Sequence, residues 1–215
     1  MIITYHGHSE FLIQTAKGIR VLFDPFPAEV AGFPMHRVKA DIVAISHHHA
    51  DHDYVDKVDG KPAVIDQPGR HAPLSGITLT GTPAWHDEEG GKKRGQVLCF
   101  LLETEGLRVL HLGDLGTVPD AELVRRLFMP DILFIPVGGF YTLDARKAVM
   151  TIRLLQPRVI LPMHYRPEKG NKDKITTLEP FLDAMKPELP SLQPLLRVTR
   201  EDLSQQPRLV QLSVG

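Results

Sequence analysis

Asp41-Ile42-Val43-Ala44-Ile45-Ser46-His47-His48-His49-Ala50-Asp51-His52 is the stretch on which the reading of this chain turns. Its first part, Ile42 to Ile45, is a short apolar run rich in β-branched residues, the signature of a buried strand. Directly after it come His47-x-His49-x-Asp51-His52, three imidazoles and a carboxylate. Where a strand gives way to a loop, alternate side chains turn toward one point, which brings His47 and His49 together and leaves His48 facing away. Imidazole and carboxylate are the ligands that hold zinc and neighbouring divalent ions. Crowding such groups adds nothing to the stability of a soluble domain, so the cluster reads as a metal site.

One short stretch rarely completes a metal site, and further donors follow downstream at similar places. His86 comes after Thr82-Pro83-Ala84-Trp85, and Asp114 lies within His111-Leu112-Gly113-Asp114-Leu115-Gly116. His164 ends Ile160-Leu161-Pro162-Met163-His164. Each sits just past an apolar run, and the glycines around Asp114 permit a tight turn and close approach. No cysteine stands among these candidates. A soft thiolate site is therefore excluded, and zinc competes with manganese, iron or nickel.

With 215 residues the chain has room for a substantial buried core, and one domain over residues 1–215 is expected. Hydrophobic residues at 42% and charged residues at 24% place it among globular chains rather than disordered ones. A net charge of −1 supplies no basic field for nucleic acid or anionic membrane, so neither is expected as a partner. The single Cys99 lies in Gln96-Val97-Leu98-Cys99-Phe100-Leu101-Leu102, where a buried strand thiol is expected; alone, it cannot form an internal disulfide. The N-terminal residues lack a charged n-region, and no run approaches the roughly 18 apolar residues of a membrane span. A cytoplasmic protein acting on a small molecule is the expectation, with a homo-oligomer left open.

Strands are expected at 2–5, 11–14, 21–23, 42–46, 63–66, 77–80, 97–103, 108–112, 132–137, 159–161 and 208–214. Helices are expected at 119–129, 143–155 and 176–185. The run Glu88-Glu89-Gly90-Gly91-Lys92-Lys93-Arg94-Gly95 reads as a flexible polar loop. Strands followed by helices in both halves suggest two packed sheets flanked by helices.

At this point the residues resemble the metallo-β-lactamase superfamily. Its order of donors, H-x-H-x-D-H and then His, Asp and His, is complete here. Tyr5-His6-Gly7-His8-Ser9, Phe23-Asp24-Pro25-Phe26, Pro136-Val137-Gly138-Gly139 and Pro162-Met163-His164-Tyr165 extend the similarity to its Zn-dependent, lactonase-like hydrolases over residues 1–166. The resemblance implies a four-layer αββα sandwich, an α/β fold of two mixed sheets flanked by helices. It implies two divalent ions, one held by His47, His49 and His86 and the other by Asp51, His52 and His164, with Asp114 bridging. It further implies that a hydroxide shared by the pair cleaves a small ester-type bond in a lactone, phosphodiester or thioester. Asp51 would serve as ligand and also orient the attacking water.

Around these donors stand weaker candidates. His8 and Asp24 lie at strand boundaries, where either could orient a ligand by a hydrogen bond, and His8 could also approach the metals directly. His111, inside an apolar strand, reads as a packed core residue or a support behind a ligand rather than a ligand itself. Gly138-Gly139-Phe140-Tyr141-Thr142 opens a helix, so its N–H groups could face an anion, with Thr142 as N-cap. Gly139, Tyr141, Lys92 and Arg94 are accordingly candidates for binding an anionic substrate. Two other functional classes compete with hydrolysis: a metal-stabilised module without catalysis, and a mononuclear iron oxygenase. The complete donor set disfavours both.

Overall fold

The computed structural model describes residues 1–28, 32–167, 174–186 and 192–215. In Ile2–Gly7 (β1) burial alternates, with Ile3 and Tyr5 inward, as in a strand that has one face in a core. Glu10–Gln14 (β2) and Arg20–Phe23 (β3) follow, then Val38–Lys39 (β4), Ile42–Ala44 (β5), Val58–Asp59 (β6) and Ala63–Ile65 (β7). Gly69–Leu74 (β8), Ile77–Trp85 (β9), Gln96–Thr104 (β10) and Leu107–His111 (β11) form an antiparallel meander. Ala121–Leu127 (α1), Ile132–Pro136 (β12), Ala145–Leu155 (α2), Val159–Met163 (β13) and Glu179–Met185 (α3) continue the chain. Leu192–Gln193 (β14), Leu196–Arg197 (β15), Arg208–Leu209 (β16) and Gln211–Leu212 (β17) complete the described elements.

Six strands pair in the order β15-β1-β2-β3-β5-β7, and seven in the order β16-β13-β12-β11-β10-β9-β8. The inner faces of both sheets supply one apolar layer, in which Ile3, Phe11, Phe23 and Ala44 of the first meet Phe100, Val109, Phe134 and Leu161 of the second. Phe11 and Phe134 stack with centroids 4.0 Å apart. The outer face of the second sheet carries Val97, Cys99, Leu133, Ile135 and Ile160 against Leu127 of α1, Ile152 and Leu155 of α2 and Phe181 of α3. Leu22, Val43 and Ile45 on the outer face of the first sheet are covered, among the described residues, by Val38 and Val58 of the short β4–β6 pair. This is the expected α/β sandwich.

The helices begin later than residues 119 and 143 because aspartates cap them. The Asp120 side chain accepts from Leu123 N–H and the Asp144 side chain from Lys147 N–H. Asp144, not Thr142, is thus the N-cap of α2. The expected strand at 77–80 runs on to Trp85, paired throughout with β10. The expected closing strand at 208–214 is two pieces, β16 beside β13 and β17 beside β14. β8 and the short pairs were not expected at all. Within the helix and strand finish beyond Pro167, residues 168–173 and 187–191 lie outside the described residues.

Strand direction fixes where the polar residues go. β3 and β5 run parallel, as do β11, β12 and β13, and antiparallel pairing on both sides of β2 and of β10 aligns β1 with β3 and β9 with β11. The residues after the C-terminal ends of β1, β3, β5, β9, β11 and β13 are thereby gathered at strand ends, where open α/β sheets place their ligands.

Candidate metal centre

Asp114 stands at the middle of the gathered groups. Its Oδ2 lies 3.1 Å from His164 Nε2, 3.3 Å from His52 Nε2, 3.4 Å from His86 Nε2 and 4.0 Å from His47 Nε2. Two glycines let the chain come this close. Gly113 has φ +52, and a Cβ there would stand 2.7 Å from Ser46 Cβ; at Gly116 it would stand 2.3 Å from the His86 carbonyl oxygen.

Potential donor atoms gather in three overlapping groups: His47, His49 and His86; His47, His52 and Asp114; and His8, Asp51, His52 and His164. All seven donors expected from the sequence fall in this cluster. His8, expected either as a support or as a group that approaches the metals directly, stands inside it as well. His47, His52, His86, Asp114 and His164 are buried, while His49 is exposed and Asp51 partly so, which opens the cluster on the side of the 47–52 loop. His48 turns outward, beside Asp53 and Asp66, as expected.

Supporting hydrogen bonds select which ring nitrogens face the centre. The Asp24 carboxylate accepts from Ser46 N–H at 2.7 Å and Ser46 Oγ at 2.6 Å, and its Oδ2 lies 2.9 Å from His52 Nδ1. Ser46 Oγ in turn lies 2.9 Å from His47 Nδ1. One carboxylate therefore orients two imidazoles, turning both Nε2 atoms inward. His8, Asp24 and His164 all hold left-handed backbone, with φ of 52°, 46° and 50°. Non-glycine residues adopt that region at a cost of about 1–2 kcal/mol, and such strain gathers at functional sites. His111 is a core residue whose Nε2 lies 2.9 Å from the Ser9 carbonyl oxygen and whose Nδ1 accepts from Gly113 N–H, supporting the Asp114 turn from below.

Charge balance suits a cation. Burial drives the His47 imidazole down to about 2, with His52 adding to the effect, so it is neutral, and its Nε2 lies 3.0 Å from His49 Nδ1. Burial also favours neutral forms at His52 and Asp114, yet the two groups reverse this for each other. Asp114 and Asp24 hold the His52 imidazole well above its ordinary range, and His164 and His52 hold the Asp114 carboxyl well below it. Five buried atoms of the cluster have no hydrogen-bond partner among the described residues: His52 Nε2, Asp114 Oδ1, His8 Nε2, His86 Nδ1 and His164 Nδ1. Buried polar atoms are normally satisfied, and a divalent ion satisfies the first three at once.

Beside the cluster a cavity of about 380 Å³ runs from His86 and Gly116 to Arg94, Phe140 and Tyr141. The 88–95 loop is not the free polar loop expected. The Asp87 carboxylate accepts from the backbone N–H groups of Glu89, Gly91, Lys93 and Arg94 at 2.8–3.0 Å and fastens it. The Arg94 guanidinium lies 4.4 Å from the Tyr141 ring centroid and 5.9 Å from that of Phe140. Lys92 is exposed and does not line the cavity, where its neighbour Lys93 stands instead. The expected anion nest is also absent, because Gly138 N–H donates to the His164 carbonyl and Gly139 N–H to that of Leu143. Gly139 shapes the turn that presents Phe140 and Tyr141. Asp87 was missed as an anchor, since its four partners are backbone groups that no side-chain motif announces.

The "Beta-lactamase superfamily domain" family model matches residues 2–164. A UPF0173 metal-dependent hydrolase of Archaeoglobus fulgidus is 30% identical over 194 residues, covering 77% of this chain and 83% of that protein. A crystal structure of a putative Zn-dependent hydrolase of the metallo-β-lactamase superfamily from Thermotoga maritima is 30% identical, with a TM-score of 0.79 over 98% of this chain and 97% of that one. An isothiocyanate hydrolase from Delia radicum gut bacteria shares the fold, with a TM-score of 0.65 at 15% identity over 100% of this chain and 97% of that one.

Proposed function

Because the chain belongs to the metallo-β-lactamase superfamily and is a metal-dependent hydrolase, we propose that it holds two divalent ions, zinc foremost. His47, His49 and His86 take one, Asp51, His52 and His164 the other, and Asp114 stands between them. The observation that carries this reading is Asp114 Oδ2, which lies within 3.4 Å of imidazole nitrogens from three separate segments. When bound, such a pair supplies a hydroxide nucleophile at neutral pH and polarises a scissile carbonyl or phosphoryl group.

The protein's own groups do the rest. Asp51, the more exposed of the two central carboxylates, accepts a hydrogen bond from the incoming water and orients it. The bond cleaved is of the small ester type: lactone, phosphodiester or thioester. Arg94 selects an anionic substrate. Its guanidinium has no carboxylate partner among the described residues, whereas Lys93 is paired with Glu89, and Lys147 with Glu88 at 2.7 Å. Tyr141 and Phe140 flank it and offer aromatic surface to the remainder of the ligand.

The test is chelation. Removing metal abolishes turnover of activated lactones, phosphodiesters or thioesters while the circular dichroism remains that of the folded protein, and added zinc restores it. A chain that unfolds on chelation and turns over none of these substrates when loaded contradicts the reading and favours a metal-stabilised module.

A further inference from the structure

His8 is 4% exposed, and its Nε2 is among the buried atoms without a hydrogen-bond partner. That atom lies 3.2 Å from Asp51 Oδ2, and potential ligand atoms of His8, Asp51, His52 and His164 all fall within 4.8 Å of one another. The ring faces inward, 4.5 Å from His164 and 4.8 Å from His52 between centroids, with the edge of Phe26 behind it. On these observations we propose that His8 Nε2 is itself a metal ligand, at the position shared by Asp51, His52 and His164. The inference rests on the dinuclear reading above and deepens it.

The surrounding structure is organised to hold the ring there. The register of β1 and β2 shifts between Tyr5 and Gly7, and Gly7 and His8 both take positive φ. The His8 carbonyl accepts from His164 N–H at 2.7 Å and from the Tyr5 hydroxyl at 2.9 Å. The His8 backbone is therefore bonded directly to that of a second ligand. Two residues on, the buried Glu10 carboxylate accepts from Phe26 N–H and from the buried Lys57 ammonium at 2.6 Å, while Lys57 Nζ also reaches the Phe26 carbonyl at 3.2 Å. Both strand ends that flank the ring are thus fixed. A left-handed histidine persists only where its surroundings over-determine it, as here.

Counting donors gives the consequence. His47, His49 and His86 are three imidazoles with Asp114 as a shared fourth group, a set that suits zinc, four-coordinate with these groups alone and five-coordinate once solvent joins. Asp51, His52, His164 and His8 with Asp114 make five protein groups, to which one solvent molecule adds a sixth. Six-coordination with mixed oxygen and nitrogen donors suits manganese, iron, cobalt or nickel better than zinc. The two positions are accordingly unequal, the first a zinc position and the second one for an ion that accepts six ligands.

The experiment offers manganese and zinc together to the full chain and to its His8→Asn and His8→Gln variants. Asparagine tolerates left-handed backbone, so the fold is kept; glutamine keeps an N–H donor for Asp51 but is a poor ligand. Metal content after dialysis and the electron paramagnetic resonance of bound manganese are read, with melting temperature as the control on folding. The expected result is one manganese and one zinc per wild-type chain, with manganese held roughly tenfold or more weakly in both variants and zinc unchanged. Manganese retained by His8→Gln with wild-type affinity and an unchanged spectrum overturns the inference and leaves His8 as a hydrogen-bond donor to Asp51. Fewer than two ions in the wild-type protein overturns the dinuclear reading itself, and this inference with it.

Discussion

Asp24 Oδ2 lies 2.9 Å from His52 Nδ1 in a site where both residues are fully buried. The same carboxylate holds Ser46, whose hydroxyl lies against His47 Nδ1. Asp24 therefore fixes the orientation of two imidazoles that the proposed function assigns to different metal positions. Asp24→Asn preserves side-chain size and tolerates the φ of 46° but offers one acceptor instead of two. Metal affinity is expected to fall about 10- to 100-fold. Competition with a chelator of known affinity measures this, and unchanged binding at both positions contradicts the assigned role.

Asp87 governs the loop that carries Arg94. Desolvation works against its charged form, but the N–H groups of Arg94, Glu89, Lys93 and Gly91 override it and hold the carboxyl below its usual range. A carboxyl depressed on folding stabilises the ordered loop above the ordinary carboxylate pKa, and that contribution is lost as pH falls through the folded value. Backbone amides of 89–94 are therefore expected to exchange faster with solvent at low pH, and Asp87→Asn to produce the same effect at neutral pH. The variant should raise KM for anionic substrates more than it lowers kcat. Loop amides as well protected in the variant as in the wild type would remove Asp87 from the account.

Glu10 and Lys57, with side chains 0% and 1% exposed, form an ion pair at 2.6 Å beneath Phe26. Removing one partner strands a buried charge, so Lys57→Met is expected to lower stability by about 3–5 kcal/mol. Pairing it with Glu10→Gln should recover much of the loss. Urea denaturation of the two single variants and the double variant reads the coupling, and simple additivity would show that the pair does not act as a unit.

Burial pushes the Cys99 thiol up to about 12, on the face of the second sheet that packs against the helices. The thiolate is the reactive form, so alkylating reagents should leave the native protein unmodified at pH 8 and label it once urea unfolds the chain. Rapid native labelling, followed by intact mass, would contradict the packing of this layer.

Much of the centre was legible in the sequence because each donor follows an apolar run along the chain. His47, His86, Asp114 and His164 are read off strand ends, and parallel pairing then gathers those ends. The supports were harder to read. Glu10 and Lys57 meet across 47 residues with no local pattern to join them. Asp24 resembles an ordinary aspartate before proline, and at His8 the strand boundary left a supporting role and a direct approach to the metals both open. β8, Gly69–Leu74, contains Pro73, and its side chains are mostly exposed, so an edge strand carried little apolar signal. Gly138 and Gly139 suggested a free anion nest, and only the tertiary structure shows their N–H groups already bonded to carbonyls.

Metal stoichiometry bears most directly on the central claim, that Asp114 joins two ions in one site. Mass spectrometry of protein purified without added metal or chelator should find close to two ions per chain. Asp114→Ala, prepared alongside and shown by circular dichroism to be folded, should hold one or fewer. One ion or none in both proteins would contradict the dinuclear centre and the hydrolytic mechanism drawn from it.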